Sequence, residues 1–307
     1  FLIDFWGWRS VFVVLGSVTV VVIALGFPLL ADVVKRPSAP ERFDVPSGLL
    51  YTLGSCAIMA GVTLAESGGG LALSAIFAFA AGAAALAVFA RRQLRIENPL
   101  LKLACFRSRT FTVSTMLVLM ANMAFMAGSI MVPLFVQDVQ GASAAVSGLT
   151  ILPGAVLLGL LNPVTGRMLD RHGPRPLIAV GCTVLVTGTL AFCLLDADTP
   201  EWVVTVLYGV RTVGVACLMM PLTAHACTTL STADIAQGTA IITSLRQIFG
   251  SIASSALIAV MASASGNALG IDAFGFGVSF AVQAALIAIG FVVGMVFLPR
   301  AASASKG

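Results

Sequence analysis

The stretch GRMLDRHGPR, residues 166–175, gathers four charged residues in a chain of which only 10% is charged. Arg167, Asp170, Arg171 and Arg175 stand here with two glycines and a proline, between long apolar runs. The 307 residues are 59% hydrophobic, with a mean hydropathy of +1.04. A soluble domain carries about a quarter charged residues, so most of this chain is predicted to lie in lipid.

The apolar runs are long enough for membrane-spanning helices, which need about 20 mostly apolar residues. Nine spans are predicted, and the fold class is an all-α polytopic membrane protein. The spans cover residues 11–30, 48–65, 71–90, 112–136, 145–163, 177–195, 202–223, 238–263 and 275–298. A lipid-exposed barrel is a poor alternative, because its strands alternate in polarity and these runs are apolar on all sides.

The basic residues set the predicted orientation. With residue 1 outside, 14 of the 17 Lys and Arg fall in cytoplasmic loops, one falls outside and two fall within spans. This asymmetry is typical of multi-pass proteins. We therefore expect a plasma-membrane protein with a cytoplasmic C-terminus. Loop 91–110 is the most basic, which is typical of a topology anchor near anionic headgroups; a regulatory lipid site is the alternative.

Several other classes of function are not indicated. The net charge of +4 gives no sign of nucleic-acid binding. The six cysteines form no CxxC pair and there are two histidines, so neither a metal site nor a disulfide framework is predicted. The sequence contains no GxxxxGK[ST] loop, HExxH motif or Ser/His/Asp arrangement, so we expect no enzyme and no cofactor.

Arg211 and Arg246 fall within predicted spans, where a charge costs about 2.5–3.5 kcal/mol on insertion scales. Such residues usually face a bundle interior or a watery cavity, which favours a role in transport. The alternative is a structural arginine bonded to helix carbonyls. None of the 13 acidic residues falls in a span, so neither arginine has an evident carboxylate partner and no buried proton carrier is evident.

A polar stripe follows the fourth predicted span, where Thr115, Asn122 and Ser129 are seven residues apart and drift only about 20° per step. In the eighth span, Arg246 shares a face with Thr239, Thr243 and Gly250. Such stripes are typical of a cavity wall or of interhelical hydrogen bonding. The residues predicted to line a substrate cavity are Thr115, Asn122, Met126, Arg211, Arg246 and Gln247.

The opening stretch resembles the signature loop of the major facilitator superfamily, in outline G-x-L-a-D-R-x-G-R-K. Four positions match in register: Gly166, Asp170, Arg171 and Gly173. Met168 replaces the leucine, and Pro174-Arg175 replaces the two basic residues. The resemblance implies a cytoplasmic loop between the second and third spans of one transporter half. It also implies a conformational latch, formed by Gly166, Asp170, Arg171, Gly173 and Arg175.

Further stretches resemble the fourteen-span drug:proton antiporter branch of that superfamily. They are residues 1–16, 98–111, 148–176, 208–230 and 237–257. The resemblance implies that five spans of the first half are missing. It also implies six segments: the last span of that half (1–30), a cytoplasmic loop (31–47), two inserted helices (48–90), a basic linker (91–110), a six-helix half (111–299) and a tail (300–307).

The resemblance implies proton-driven export of a small hydrophobic or amphipathic compound, with two halves rocking around a central site. The expected partners are the substrate, protons, the bilayer and the missing N-terminal half. Arg211 would echo an arginine that the family uses in proton coupling. Two alternatives stay open: an exporter of one anionic metabolite, and a non-transporting sensor or scaffold built on a transporter fold.

Overall fold

A computed structural model describes residues 9–26, 44–67, 73–96, 99, 101–231, 234–265 and 272–297, with the backbone alone at Val11 and residues 65–67. Nine α-helices and no strand occur in these ranges. They are α1 Arg9–Gly26, α2 Val45–Ser67, α3 Leu73–Gln93, α4 Arg109–Leu134, α5 Ala144–His172, α6 Pro174–Ala191, α7 Glu201–Cys227, α8 Ile235–Ala264 and α9 Ala273–Phe297.

Eight of these helices, α2 to α9, are long and apolar enough to cross a membrane, and α1 contains a shorter apolar stretch, Phe12–Gly26. The prediction of an all-α membrane protein is therefore confirmed. Contacts divide the chain into two units, Phe1–Phe43 with α1 and Asp44–Gly307 with the other helices. Most of the predicted loop 31–47 and the whole tail 300–307 lie outside the described residues.

Helix α4 occupies the centre of the second unit, where it packs against α7, α8 and α9. Helix α7 also packs against α5 and α6. Gly214 permits the α6–α7 crossing, because a side-chain carbon there would lie 2.7 Å from the Leu185 backbone nitrogen. Helices α2 and α3 form a hairpin that reaches the other helices through α8.

Helix α5 continues to His172, past the predicted span end at residue 163, so the prediction that this stretch is a loop is wrong. Most of the GRMLDRHGPR stretch is therefore helix, and Arg171 and His172 lie in the last turn, where basic residues complement the helix dipole. The break is Gly173 alone, whose φ of 75° and ψ of −179° favour glycine. Its N–H donates to the Leu169 carbonyl at 2.9 Å, and Pro174 begins α6.

The two glycines of this stretch are expected to respond oppositely to alanine. Gly173→Ala should lower the free energy of unfolding by about 1–3 kcal/mol, because its backbone conformation is strained for any other residue. Gly166 lies within α5 with nothing within 4 Å of an added side-chain carbon, so Gly166→Ala should stabilise by about 0.5–1 kcal/mol. Denaturant titrations measure both, and equal effects would contradict this account of the break.

Two ion pairs join segments at the ends of four helices and fix where loops meet the bundle. Arg92 at the end of α3 contacts Asp44 just before α2, with 3.1 Å between Arg92 Nη2 and Asp44 Oδ1. Lys102 Nζ, ahead of α4, donates to Asp234 Oδ1 at 2.6 Å, just before α8. The hydrogen bond from Lys102, followed by one from Ser231, holds the pKa of Asp234 below its ordinary 3.8.

The Lys102–Asp234 pair is expected to make stability depend on acidity. Because the pKa of Asp234 is lower in the folded state, the pair contributes stability above the unfolded pKa and loses it as pH falls through the folded pKa. Asp234→Asn should therefore flatten the loss of stability between about pH 5 and pH 2. Unfolding midpoints across that range measure it, and parallel curves for both proteins would exclude the pair as the cause.

Candidate functional site

Arg211 is the most buried charged group among the described residues, with 1% of its surface exposed in the middle of α7. Its Nε donates to Thr189 Oγ1 on α6 at 3.3 Å. Its Nη2 donates to the Ala124 carbonyl on α4 and to Gln283 Oε1 on α9, the latter at 2.8 Å. One guanidinium thus links four helices.

Small residues and an aromatic ring shape the space around this guanidinium. A side-chain carbon at Gly128 would overlap Arg211 Nη1, and one at Gly188 would lie 3.3 Å from Arg211 Cα. The Phe280 ring lies below the guanidinium carbon, 5.6 Å from centroid to carbon, a favourable distance for a cation–π contact. These contacts agree with the alternative interpretation of Arg211 as a structural residue, hydrogen-bonded to the helices around it.

Arg246 lies at a second place, where α8 packs on α4. Asn122 Nδ2 donates to the Arg246 carbonyl at 2.8 Å, and Arg246 Nε donates to Asn122 Oδ1 at 3.3 Å. Gly250 permits this approach, because a side-chain carbon there would lie 2.5 Å from Asn122 Nδ2 and 3.2 Å from Met126 Cγ. The structure therefore brings together the predicted residues Asn122, Met126 and Arg246.

The two arginines do not share a site. Gly128, which contacts Arg211, follows Asn122 by six residues, so the two positions are rotated by about 240° around the axis of α4 and face different sides of the helix. Arg211 is enclosed, whereas Arg246 is half-buried and its terminal nitrogens have no hydrogen-bond partner in the described residues. Only Arg246 can meet a ligand without the bundle opening.

Helix α8 also carries a polar stripe, defined by Thr239, Thr243, Gln247 and Ser251 at a spacing of four residues. The first three side chains are exposed and Ser251 is half-buried. Thr239 and Ser251 satisfy their hydroxyls by donating to carbonyls of their own helix, but Gln247 has no such bond. An amide facing hydrocarbon is unfavourable, so this stripe is suited to water or to another protein surface.

Thr115 and Gln283 carry the unsatisfied polar atoms of this region. Thr115 is 1% exposed and its hydroxyl has no hydrogen-bond partner, so it lines no open surface in this structure. Gln283 bonds Arg211 through its oxygen, while its nitrogen has no partner. Gln283 was not among the predicted cavity residues, although an amide in a strongly apolar helix is itself a signal of interhelical bonding.

Comparison with known proteins identifies the family to which this bundle belongs. Residues 1–255 match the family model of the Major Facilitator Superfamily. The chain belongs to the major facilitator superfamily. Its signature stretch is therefore present here as the end of α5, Gly173 and the start of α6.

Relatives in this superfamily include proteins named for drug resistance. The multidrug resistance protein B homolog of Mycobacterium tuberculosis is 30% identical over 267 residues, 85% of this chain and 48% of the relative. The lincomycin resistance protein LmrB of Listeria monocytogenes is 30% identical over 256 residues, which cover 83% of this chain and 54% of the relative. The uncharacterized MFS-type transporter YhcA of Bacillus subtilis is 30% identical over 259 residues, which cover 84% of this chain and 48% of the relative. The chain spans about half the length of these curated relatives.

The superfamily's signature residues lie apart from both arginine sites. Asp170 and Arg171 are exposed on the last turns of α5, and Arg175 is half-buried in the first turn of α6. Asp170 makes no ion pair within the part of the chain that the structure describes. The latch therefore stays a prediction, and Asp170 is available to a partner surface.

Proposed function

We propose that this chain works in a secondary active transporter that exports drugs or other amphipathic compounds by alternating access, as a carrier and not an enzyme. The observation that carries the proposal is the exposed polar stripe of α8 beside the half-buried Arg246, within an apolar helical bundle. Such a surface combines apolar area with a few polar groups, as ligand sites do. The names of the relatives agree with this substrate class.

The contacts suggest different roles for the two arginines, a structural one for Arg211 and a substrate-facing one for Arg246. The Arg211 cluster, defined as Arg211 with Thr189, Gln283 and the Ala124 carbonyl, holds α4, α6, α7 and α9 together. A unit held in this way moves as one body, which rocking between two access states requires. The Asn122–Arg246 pair and the polar stripe then meet the substrate, opposite a second helical half of the transporter.

Proton coupling is part of the proposal, and the described helices limit where its carrier can lie. Every Asp and Glu of these helices is found at a helix end, as Asp138, Asp170 and Glu201 are. A proton carrier needs a carboxyl group whose pKa burial can shift. We place that group outside the described helices, in the half that faces α8.

The proposed location is the plasma membrane, with the basic helix ends in the cytoplasm and residue 1 outside. Arg91, Arg92 and Arg175 then lie on the cytoplasmic side, and Glu201 and Asp272 lie outside. The positive-inside rule supports this choice over its reverse.

Efflux from whole cells tests the proposal. Cells lacking their main drug exporters, expressing the complete reading frame that encodes this chain, should lose a fluorescent amphipathic cation such as ethidium faster than vector controls. An uncoupler that collapses the proton gradient should abolish the difference. Equal efflux from both cell lines across a panel of amphipathic cations would contradict the proposal and favour a sensor or scaffold.

The competing function is export of one anionic metabolite. Arg246 favours it, because this guanidinium has no carboxylate partner in the described residues. Competition separates the two functions. Excess amphipathic cation should inhibit efflux of the fluorescent cation, and small organic anions should not. Inhibition by a single anion, with none by cations, would instead support the metabolite exporter.

A further inference from the structure

A cavity of about 190 Å³ lies between the α2–α3 hairpin, the segment 101–106 and α8. Its walls include Tyr51, Phe89, Phe106 and Ile248. It is separate from the Arg211 cluster and from the Asn122–Arg246 pair, none of whose residues lines it. This volume is well above the roughly 10–15 Å³ that a single water molecule needs, so the cavity has room for several methylene-sized groups.

The lining decides what chemistry the cavity accepts. All its side chains are apolar except those of Tyr51 and Ser244. A water molecule needs two to four polar partners to be held in a cavity, so this one favours hydrocarbon. A run of methylene groups therefore matches the apolar lining better than a compact polar ligand does.

Two cations stand next to the cavity without partners. Arg91 directly follows Ala90, which lines the cavity, and Arg95 lies in the turn after α3. Both are exposed, and neither guanidinium has a hydrogen bond or ion pair among the described residues. Their neighbours differ, since Arg92 is bound by Asp44 and Lys102 by Asp234. The two free guanidiniums are therefore complementary to an anion.

Gln93 supplies an independent observation at the same place. It is 3% exposed, and its Oε1 accepts a hydrogen bond from the backbone N–H of Leu101, a cavity residue, at 3.1 Å. Its Nε2 has no partner. Gln93 does not line the cavity itself, but its bond to Leu101 fixes the segment that forms one of the cavity walls.

We propose that this cavity binds one acyl chain of an anionic phospholipid, whose phosphate is held by Arg91 and Arg95. The lipid would join the hairpin to α8, the helix that carries the polar stripe. Basic residues at the cytoplasmic end of membrane helices attract anionic lipid generally. The cavity adds a fixed position for one chain, so binding here is saturable and selective.

Photolabelling tests this site. The protein purified from the complete reading frame that encodes this chain is placed in phosphatidylcholine vesicles containing a small fraction of phosphatidylglycerol with a diazirine on one acyl chain. Labels located by mass spectrometry should concentrate on peptides carrying Phe89 and Ile248, and unlabelled phosphatidylglycerol should compete. A phosphatidylcholine probe with the same diazirine has the same phosphate but adds a choline ammonium, which removes the net negative charge and is repelled by the two guanidiniums. It should label these peptides about tenfold less.

Matched variants separate the site from lipid that merely surrounds the helices. Ala90→Trp fills the cavity and should abolish the labelling, whereas Ala84→Trp, at an exposed position of α3, should not. The double variant Arg91→Gln/Arg95→Gln, exposed at both positions, should remove the preference for the anionic probe. Equal labelling by both probes, or labelling unchanged in Ala90→Trp, would overturn the proposal.

Discussion

Replacing Arg211 by alanine should lower the free energy of unfolding by at least about 3 kcal/mol, because three buried partners lose a hydrogen bond at about 1–3 kcal/mol each. Those partners are Thr189 Oγ1, the Ala124 carbonyl and Gln283 Oε1. No water reaches them, since Thr189 and Gln283 are both 0% exposed. The change would also leave an empty space beside Gly128.

Thermal or denaturant unfolding in detergent measures this effect. The matched control is Val210→Ala, one residue earlier on α7 and 42% exposed, which should change stability little. Arg211→Lys keeps the charge but loses the planar set of N–H donors of the guanidinium, so it should also lower the free energy of unfolding. If Arg211→Ala were as stable as Val210→Ala, the Arg211 cluster would not hold the helices together.

Replacing Arg246 by alanine should reduce efflux about tenfold or more, while the protein stays folded. The guanidinium is half-buried and its Nε donates to Asn122, so its terminal nitrogens are available to an acceptor oxygen of the opposing half of the transporter or of a substrate. A hydrogen bond to a charged group contributes about 1.5–3 kcal/mol, and 1.4 kcal/mol is a factor of ten.

Efflux of the fluorescent cation, measured alongside unfolding, tests this expectation. Ile252→Ala, at a partly exposed apolar position of the same helix, is the control and should leave efflux unchanged. Asn122→Ala should lower efflux less, because the charge remains. Normal efflux by Arg246→Ala at normal expression would remove Arg246 from the transport path.

The sequence predicted the membrane helices because apolar length is a local property. The loop that the resemblance implies for residues 166–175 is reduced to a break at Gly173, where the backbone freedom of glycine and the following proline act locally. The sequence placed the end of α5 too early because charged residues there suggested a loop, yet Arg167, Asp170 and Arg171 extend a helix well beyond its apolar part. Charge marks the membrane surface, and a helix can continue past it.

The relation between the two arginines could not be predicted from spacing. Arg211 and Arg246 look alike in the sequence, and only the packing of α4 between α7 and α8 puts them on different sides of one helix. Thr189 carries no signal, because a helical threonine commonly bonds its own backbone, as Thr189 also does with the Leu185 carbonyl. The cavity beside the hairpin joins segments far apart in the chain.

The polar stripe of α8 should face a water-filled transport path. The most direct measurement is cysteine accessibility in the complete reading frame, with its native cysteines replaced. Thr243→Cys leaves Arg246 in place and is exposed, whereas Ala127→Cys, on α4, is 0% exposed. A membrane-impermeant thiol reagent should modify Thr243→Cys, more slowly when ethidium is in excess, and should not modify Ala127→Cys. Failure of Thr243→Cys to react, or a rate that ethidium leaves unchanged, would contradict the claim.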